Sequence, residues 1–331
     1  MKTRASSRRK SKNDRHVLVT GGAGFIGSHL VERLLAGGHR VVVMDDLSTG
    51  SLDNLKTVSG HAGLRVIQAK ISGCAELPDL VESASAIYHL AAAVGVALVI
   101  QSPIHTLETN LHETEVLVKL AAQARVPFLL TSSSEVYGKS EKPSFSEDDD
   151  LLIGPPNHSR WGYACSKLMD EFLVLAYARE RDLPAVVVRL FNVVGPRQTG
   201  RYGMVLPRFI AAARRGESLK VHGDGHQTRC FCSVSDVVEA LTRLQNCAAA
   251  RGQVFNVGGT DEISILELAR TVIDLLGSNS RIELVPYQQA YAPGFEDMRQ
   301  RRPAVEKLAG AIAFRPTTPL RDIILTTAQA I

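Results

Sequence analysis

A tyrosine and a lysine stand four residues apart in the segment Tyr163-Ala-Cys-Ser-Lys167. On an α-helix this spacing places both side chains on one face, about one turn apart. A neighbouring ammonium stabilises a phenolate, so the pair predicts that the pKa of Tyr163 falls toward neutrality and that its hydroxyl can transfer protons. Such a pair is common by chance, and its meaning depends on the residues that the rest of the chain places beside it.

Three glycines near the start of the chain are spaced for a second kind of chemistry. Gly21, Gly24 and Gly27 follow the apolar segment 17–19, and leucines at helical spacing follow them. A strand, a glycine turn and a helix together present backbone N–H groups and the positive helix end to phosphates. The segment therefore predicts a site for a dinucleotide pyrophosphate. The alternative is a tight turn that uses glycine only for its backbone freedom.

Two acids follow the second apolar strand. Residues 40–44 read as that strand, and Asp45 and Asp46 come directly after them, about twenty residues beyond the glycine turn. An acid at this place bonds the adenosine ribose 2′-hydroxyl and repels a 2′-phosphate. Asp45 therefore favours NAD over NADP as the cofactor.

The elements that must position these residues alternate between strand and helix. Further apolar segments predict strands over 64–69, 86–93, 128–132 and 185–190, and helical periodicity covers 107–124 and 163–179. This alternation is typical of parallel βαβ units, and it predicts an α/β fold with a doubly wound sheet of the Rossmann type. Ligands bind at the carboxyl ends of the strands in such sheets, where the serines that follow residue 131 should lie.

The pattern predicts a division into two domains behind a basic tail. Residues 16–190 form the NAD-binding domain, and residues 191–331, rich in Gly and Pro, form mainly a smaller substrate-binding domain whose strands return to the sheet near 221–257. Segment 139–159 is rich in Pro, Ser and acids and predicts a surface loop. Its acidic run 147–150 reads as solvated charge, with metal binding as the alternative.

Composition is that of a soluble globular protein, with 331 residues, 45% apolar and 22% charged. No apolar run has the length of a membrane span, so we expect no membrane partner. The net charge of +4 conceals a basic tail. Residues 1–16 hold seven Lys or Arg against Asp14, which leaves −2 on the rest of the chain. We interpret residues 1–15 as a disordered, solvated extension, with a weak anion- or nucleic-acid-binding arm as the alternative, and we expect a cytoplasmic protein without a nucleic-acid partner.

The five cysteines are odd in number and scattered along the chain. The spacing of Cys230-Phe-Cys232 does not suit a zinc knuckle. The cysteines therefore predict free buried thiols and no metal site.

Seven ordered segments give the chain a family resemblance. It resembles the extended short-chain dehydrogenase/reductase family, and within it the NAD-dependent nucleotide-sugar epimerases, dehydratases and decarboxylases. The segments are Thr20-Gly-Gly-Ala-Gly-Phe-Ile-Gly27, Asp45-Asp-Leu-Ser-Thr-Gly50, His89-Leu-Ala-Ala92, Ser132-Ser-Ser-Glu-Val-Tyr-Gly138, Tyr163…Lys167, Arg189-Leu-Phe-Asn-Val-Val-Gly-Pro-Arg197 and Val221-His-Gly-Asp-Gly-His-Gln-Thr-Arg-Cys-Phe231.

The resemblance implies a role for each matching residue. Tyr163 takes the proton of the sugar 4-hydroxyl while a hydride passes from C4 to NAD⁺, Lys167 holds the nicotinamide ribose, and Ser133 bonds the reacting oxygen. Ser134, Asn192 and Arg229 bind the substrate, the last two through its diphosphate. The implied cofactor contacts are Gly21, Gly24, Phe25, Ile26, Gly27, Asp45, Leu90, Ala91, Ala92, Asn110, Tyr163 and Lys167.

The chain departs from the family pattern at two places. Lys70-Ile71 stands where family members usually carry an acid near the adenine. The phosphate-binding motif usually reads Arg-Asp-Phe and here reads Arg229-Cys-Phe231.

The pair Ser134-Glu135 bears on which family member this is. The family's 4,6-dehydratases carry an acid in the place of Ser134, and its simple 4-epimerases have small or hydroxyl residues in the place of Glu135. UDP-glucuronate decarboxylases look most similar, also at Gln300-Arg-Arg-Pro303. The resemblance thus predicts decarboxylation of UDP-glucuronate to UDP-xylose, in which Glu135 and Arg301 serve the uronate. Arg301 would either orient the substrate carboxylate or protonate the product through water.

Several alternatives stay open at this point. A UDP-glucose or UDP-glucuronate 4-epimerase is one, and an NAD-binding regulatory module without catalysis is another. Glu135 could also be a structural acid that bonds loop amides. The resemblance further implies a homodimer formed through the helices that begin near Leu107 and Tyr163, with a UDP-sugar as the small-molecule partner.

Overall fold

The structure is a computed structural model that describes residues 15–93, 102–158, 160–200, 204–286 and 298–330, without the side chain of residue 160. The predicted basic tail, apart from residue 15, lies outside the described residues.

The described residues form thirteen strands and nine α-helices. The strands are His16–Thr20 (β1), Val41–Asp45 (β2), Leu64–Gln68 (β3), Ala84–His89 (β4), Phe128–Ser133 (β5), Ala185–Leu190 (β6), Val193–Val194 (β7), Leu219–His222 (β8), Thr228–Cys230 (β9), Cys232–Ser233 (β10), Gln253–Val257 (β11), Glu262–Ser264 (β12) and Ile282–Val285 (β13). The helices are Phe25–Ala36 (α1), Leu77–Ser83 (α2), Pro103–Ala124 (α3), Arg160–Arg181 (α4), Val205–Arg215 (α5), Val234–Asn246 (α6), Ile265–Leu276 (α7), Glu306–Ile312 (α8) and Leu320–Gln329 (α9).

Seven parallel strands form the central sheet in the order β11-β6-β5-β4-β1-β2-β3. Strand β1 is buried at all five positions, as expected for a strand covered on both faces. The predicted α/β fold of the Rossmann type is confirmed. The chain leaves β1 toward β2 on one side and returns to β4 on the other, so the crevice for a ligand opens at the carboxyl ends of β1 and β4.

Alternate residues of β1 serve two separate cores. Val17 and Val19 pack in the core that α1 and α6 cover, whereas Leu18 packs in the core beneath α3 and α4. This is the period of two that a strand imposes on its side chains. The two helical layers therefore hold the glycine turn and the start of α4 at one edge of the sheet.

The chain after residue 191 contributes to two cores. Strand β11 pairs with β6 and completes the central sheet, as predicted for residues near 257. Strand β8 does not return to the sheet, because it pairs with β13 and packs with α5, α7 and α9 in a core of its own. The predicted return near residue 221 is therefore wrong, because β8 and β13 form a two-stranded sheet of their own.

Segment 139–158 is irregular, as predicted, but it is not simply a surface loop. Phe145 is 0% exposed, and its backbone N–H and carbonyl bond the Arg302 carbonyl and the Ala304 N–H, each at 2.8 Å. The carboxylate of Glu147 accepts the Asn256 N–H at 2.7 Å. The acidic run is thus only partly solvated, because its first member ties the segment to β11.

The cysteines form no disulfide, and the described residues show neither a metal site nor a membrane-spanning helix. All five cysteines are free, but only Cys230 and Cys232 are buried, so the prediction of buried thiols is wrong for the other three, and Cys165 is exposed. Among the described residues no group of His, Cys, Asp or Glu is arranged to hold a metal ion. No described helix combines the length and the apolar character that crossing a bilayer requires.

Candidate active site

The turn between β1 and α1 and the first turn of α1 require glycine at two positions. Gly21 has a φ of +71°, and a Cβ on it would lie 2.6 Å from the Ala91 nitrogen. A Cβ on Gly27 would lie 2.1 Å from the Gly21 carbonyl oxygen. The first turn of α1 holds no acid, and no side chain caps it. The helix end therefore keeps its positive character toward the crevice, as a bound pyrophosphate requires.

Asp45 stands beside this turn, at the end of β2. Its carboxylate accepts the N–H groups of Ala23 and Leu47, both at 2.9 Å. Burial raises the pKa of the Asp45 carboxyl, and the two amide donors act against that shift. The carboxylate also lines the cavity described next, where a ribose hydroxyl can donate to it.

One cavity of about 740 Å³ runs from the glycine turn to the separate core. It brings together all the predicted site residues except Asn110 and Ser134. Those that line it are Gly21, Gly24, Phe25, Ile26, Gly27, Asp45, Leu90, Ala91, Ala92, Ser133, Glu135, Tyr163, Lys167, Asn192, Arg229 and Arg301.

Asn110 and Ser134 lie behind the cavity wall instead of on it. Asn110 is 3% exposed, accepts the Ala93 N–H at 2.7 Å and donates to the Ser166 hydroxyl at 3.1 Å. Ser134 is 0% exposed and donates to the Leu190 carbonyl at 3.0 Å. Both side chains hold the wall in place, and direct contacts of Asn110 with the cofactor and of Ser134 with the substrate stay predictions.

Tyr163 and Lys167 both reach the cavity from the first turns of α4, as the spacing predicts. Ser133, at the end of β5, makes a side-chain hydrogen bond with Tyr163. The predicted fall in the pKa of Tyr163 is wrong for this structure. Burial raises the pKa of the phenol, and the carboxylate of Glu135 raises it further. The Lys167 ammonium donates to Asp170 at 3.0 Å, and the charge of Asp170 also raises the pKa of the phenol.

Two buried groups near Lys167 were missed from the sequence. Asp170 follows Lys167 by three residues, a spacing that places two helical side chains side by side and could have revealed the pair. His89 bonds the hydroxyls of Thr20 and Thr114 at 2.7 and 3.0 Å. Burial first, and then the charge of Lys167, lower the pKa of His89 to about 3. His89 is therefore neutral at physiological pH.

Glu135 and Arg301 form an ion pair in the cavity beside Tyr163. Arg301 Nη1 donates to Glu135 Oε1 at 2.7 Å, and Arg301 Nε donates to the Ser134 hydroxyl at 2.8 Å. The Glu135 N–H donates to the Ser133 hydroxyl at 3.2 Å. Both charges act on the phenol of Tyr163, the carboxylate raising its pKa and the guanidinium lowering it. A fixed guanidinium beside a proton-transfer group can bind a carboxylate of the substrate.

The far end of the cavity is basic and suits a diphosphate. Asn192 has a φ of +34°, and its side-chain amide donates to the Cys230 carbonyl at 2.8 Å. This bond sets it next to Arg229, which is 9% exposed. Further basic residues at the cavity were not singled out as site residues, because a single Arg or Lys carries no local signal of what its side chain faces. They are Arg197, Arg208 and Lys220.

A comparison with protein families decides the assignment. Residues 17–258 match the NAD dependent epimerase/dehydratase family. The chain belongs to this family. NAD is the cofactor of the family, and the glycine turn and Asp45 fit that cofactor.

Relatives and solved structures extend the match over nearly the whole chain. The UDP-N-acetyl-alpha-D-glucosaminuronate decarboxylase of Bacillus cytotoxicus is 40% identical over 313 residues, which covers 94% of this chain and 96% of the relative. UDP-glucuronic acid decarboxylase 6 of Arabidopsis thaliana is 36% identical over 94% of this chain and 87% of the relative. The UDP-glucuronic acid 4-epimerase of Bacillus cereus, solved with UDP-glucuronic acid and NAD, superposes with a TM-score of 0.85 at 27% identity and covers 95% of this chain and 98% of that structure.

Asp45 leads to a prediction about cofactor choice in this family member. A 2′-phosphate would stand against the Asp45 carboxylate, so NAD⁺ should bind on the order of 100-fold more tightly than NADP⁺. Asp45→Asn should narrow that difference, whereas the matched change Asp53→Asn, at an exposed residue nearby, should leave it unchanged. Calorimetric titration with both cofactors checks this. Tighter binding of NADP⁺ by the unaltered protein would reverse the preference.

Proposed function

We propose that the protein decarboxylates a UDP-linked hexuronate, with UDP-glucuronate as the substrate and UDP-xylose as the product. The observation that carries the proposal is the Arg301–Glu135 ion pair beside Tyr163 and Ser133 in a single cavity. The proton-transfer groups serve C4 of the sugar, and the guanidinium serves the carboxylate on C5.

The residues of the chain transfer the protons and stabilise the charges that develop in the reaction. Tyr163 removes the proton of the 4-hydroxyl, Ser133 bonds the same oxygen, and Lys167 holds the cofactor ribose. NAD⁺ accepts a hydride from C4 and later returns it. The resulting 4-ketone lies β to the carboxylate. The bond between C5 and the carboxyl carbon therefore breaks, and CO₂ leaves. The electron pair of that bond stays on the sugar and forms an enolate with the ketone. Ser133 and Tyr163 stabilise the enolate oxygen.

The remaining steps convert the enolate into the UDP-pentose. A proton from solvent replaces the carboxyl group at C5, and the hydride returns to C4 as Tyr163 gives its proton back to the oxygen. Atoms balance, since UDP-glucuronate and one proton give UDP-pentose and CO₂. The cofactor ends the cycle in the form in which it began.

The support of Arg301 suits the binding of a carboxylate. Two partners fix its guanidinium, Glu135 through Nη1 and Ser134 through Nε. The side chain of Arg301 is only 12% exposed. An arginine held in this way is pre-organised, so little conformational freedom is lost when it pairs with a planar anion.

The comparisons support the proposal and also supply its main alternative. The curated relatives given above are named as decarboxylases of UDP-linked uronates. The 40% identical relative acts by name on an N-acetylated uronate, so the C2 substituent of the sugar is part of the test. The second candidate is a 4-epimerase, favoured by the similar structure solved with UDP-glucuronic acid. Intact Ser133, Tyr163 and Lys167 in the cavity speak against a non-catalytic module.

The proposal predicts a product that one assay identifies. The purified protein with NAD⁺ and UDP-glucuronate labelled at the carboxyl carbon should release labelled CO₂ and form a UDP-pentose, seen in the proton NMR spectrum of the sugar ring. UDP-N-acetylglucosaminuronate is assayed in parallel to identify the preferred C2 substituent. UDP-galacturonate without CO₂ would establish the 4-epimerase instead. A 4-keto-6-deoxy sugar formed from a UDP- or dTDP-hexose would show a dehydratase.

We further propose a homodimer that uses α3 and α4. These helices expose large apolar side chains, with Ile104, Met169 and Phe172 being 71%, 55% and 63% exposed. Covering such side chains is the usual reason for helices to associate. The cytoplasmic location and the division into NAD-binding and substrate-binding domains stay predictions.

A further inference from the structure

A second carboxylate lies against the lysine of the active site. Asp170 follows Lys167 on α4, and its Oδ2 accepts a hydrogen bond from the ammonium at 3.0 Å. The side chains of Lys167 and Asp170 are 2% and 0% exposed. The other carboxylate oxygen, Oδ1, is buried and has no hydrogen-bond donor among the described residues. Such burial is costly and raises the pKa of the Asp170 carboxyl, and the adjacent ammonium acts against that shift.

Titratable and polar groups from three elements surround this pair. On the same helix, Glu171 is occupied by Arg189 of β6, at 2.8 Å with both side chains buried. From β4, His89 approaches as a neutral ring, because its pKa is lowered to about 3. From α3, Thr114 presents a hydroxyl to the carboxylate. These groups add no net charge beside Lys167.

On the cavity side, the nearest charges also cancel in part. Glu135 and Arg301 are paired at 2.7 Å, and they move the pKa of Tyr163 in opposite directions. Asp170 acts on the same phenol and raises its pKa. Removing a negative charge from this surrounding makes loss of the phenol proton easier.

We propose that Asp170 is a positioning residue of the reaction, which anchors the buried Lys167 ammonium at the cavity and bears on the proton transfer of Tyr163 one helical turn away. The inference rests on the proposed function, in which Tyr163 exchanges a proton with the sugar 4-hydroxyl. Because the active form is the ionised phenol, the rate rises with pH as Tyr163 loses its proton. Asp170 places that rise at higher pH and, in return, keeps a buried cation fixed in the active site.

The test measures the ionisation of Tyr163 directly. The ultraviolet absorbance of phenolate is titrated against pH in the NAD⁺-bound protein, with and without Tyr163→Phe. The difference between the two titrations gives the ionisation of Tyr163, and the same pair of titrations is made with each Asp170 variant. In Asp170→Asn its midpoint should fall by about one pH unit, the scale of one charge nearby in a partly buried site. The midpoint of the rising limb in the plot of kcat/KM against pH should shift to lower pH by the same amount.

The kinetic constants separate positioning from substrate binding. Asp170 lies behind the cavity wall, so Asp170→Asn should leave the KM for the sugar nearly unchanged. The plateau value of kcat should fall about tenfold to a hundredfold, because the anchor of Lys167 is weakened. The matched control is Glu180→Gln, which removes an exposed carboxylate from the same helix and should move neither the midpoint nor kcat.

Further variants keep the test decisive. Asp170→Glu retains the charge and should keep the midpoint within a few tenths of a pH unit. If Asp170→Asn does not fold, Asp170→Ser removes the same charge and carries the same expectation. An unchanged or raised midpoint in a folded, uncharged variant overturns the assignment of Asp170. Absence of CO₂ release by the unaltered protein refutes the proposed function alone, because the phenolate titration needs no sugar.

Discussion

Replacing Tyr163 by phenylalanine should abolish turnover while leaving both ligands bound. The change removes the oxygen that exchanges a proton with the 4-hydroxyl and nothing else, so we expect a loss of roughly 1,000-fold or more in kcat. NAD⁺ and UDP should bind the variant with nearly unchanged affinity, since neither phosphate site includes this hydroxyl. NMR of the product measures the loss of turnover. Calorimetric titration with NAD⁺ and with UDP measures the retained binding.

The control for this variant lies on the same helix. Tyr177→Phe removes a phenol hydroxyl from α4 at a residue that does not line the cavity, and it should retain full activity. Comparable turnover in Tyr163→Phe and in the unaltered protein would show that another group removes the proton.

Glu135→Gln should separate the loss of CO₂ from the oxidation at C4. The amide keeps the shape of the side chain but removes the charge that holds Arg301 at 2.7 Å. We expect CO₂ release to fall roughly 100-fold, the scale of a positioned electrostatic group. Oxidation of the sugar needs Tyr163 and Ser133, which stay in place. The absorbance of reduced cofactor should therefore rise and persist when the variant meets UDP-glucuronate.

A substitution of Arg301 tests the other member of the ion pair, and each member of the pair has a matched control. Arg301→Lys keeps the charge but loses the fork that reaches Glu135 and Ser134 together, so it should also slow CO₂ release, whereas Arg302→Lys, at the exposed next residue, should not. Glu141→Gln, an exposed acid in the adjoining segment, serves as the control for Glu135→Gln. Full CO₂ release by Glu135→Gln would make Glu135 a purely structural acid.

The parts that could be predicted from the sequence are those with a local period or spacing. Alternating strands and helices predict the central sheet because burial repeats every two or every 3.6 residues. The glycines at positions 21, 24 and 27 are equally readable, since the turn admits no Cβ at its tightest contacts. Tyr163 and Lys167 could be placed on one helix face from their spacing alone.

The parts that were missed depend on contacts between distant residues. Ser134 meets Arg301 across 167 positions, and Phe145 pairs its backbone with residues 302 and 304. No periodicity in the sequence around Ser134, Phe145 or Arg301 predicts these contacts. The pKa of Tyr163 was misjudged for a related reason, because burial depends on the whole fold and the balancing acid of Lys167 is visible only when side chains are placed.

The backbone pairing of Phe145 with the segment that carries Arg301 has a consequence for how this enzyme can change. In the proposed reaction, the groups that handle the hydroxyl and the hydride at C4 all belong to residues 16–190. The guanidinium for the carboxylate arrives on a short segment, 298–305, that is attached through the Phe145 backbone and the Glu135 side chain. The groups proposed to oxidise the sugar and the guanidinium proposed to bind its carboxylate thus lie on distant pieces of chain, which meet where Arg301 contacts Ser134 and Glu135. A change of product would therefore involve both sides of this contact, segment 298–305 and the Ser134-Glu135 pair, while Tyr163 and Lys167 keep their places on α4.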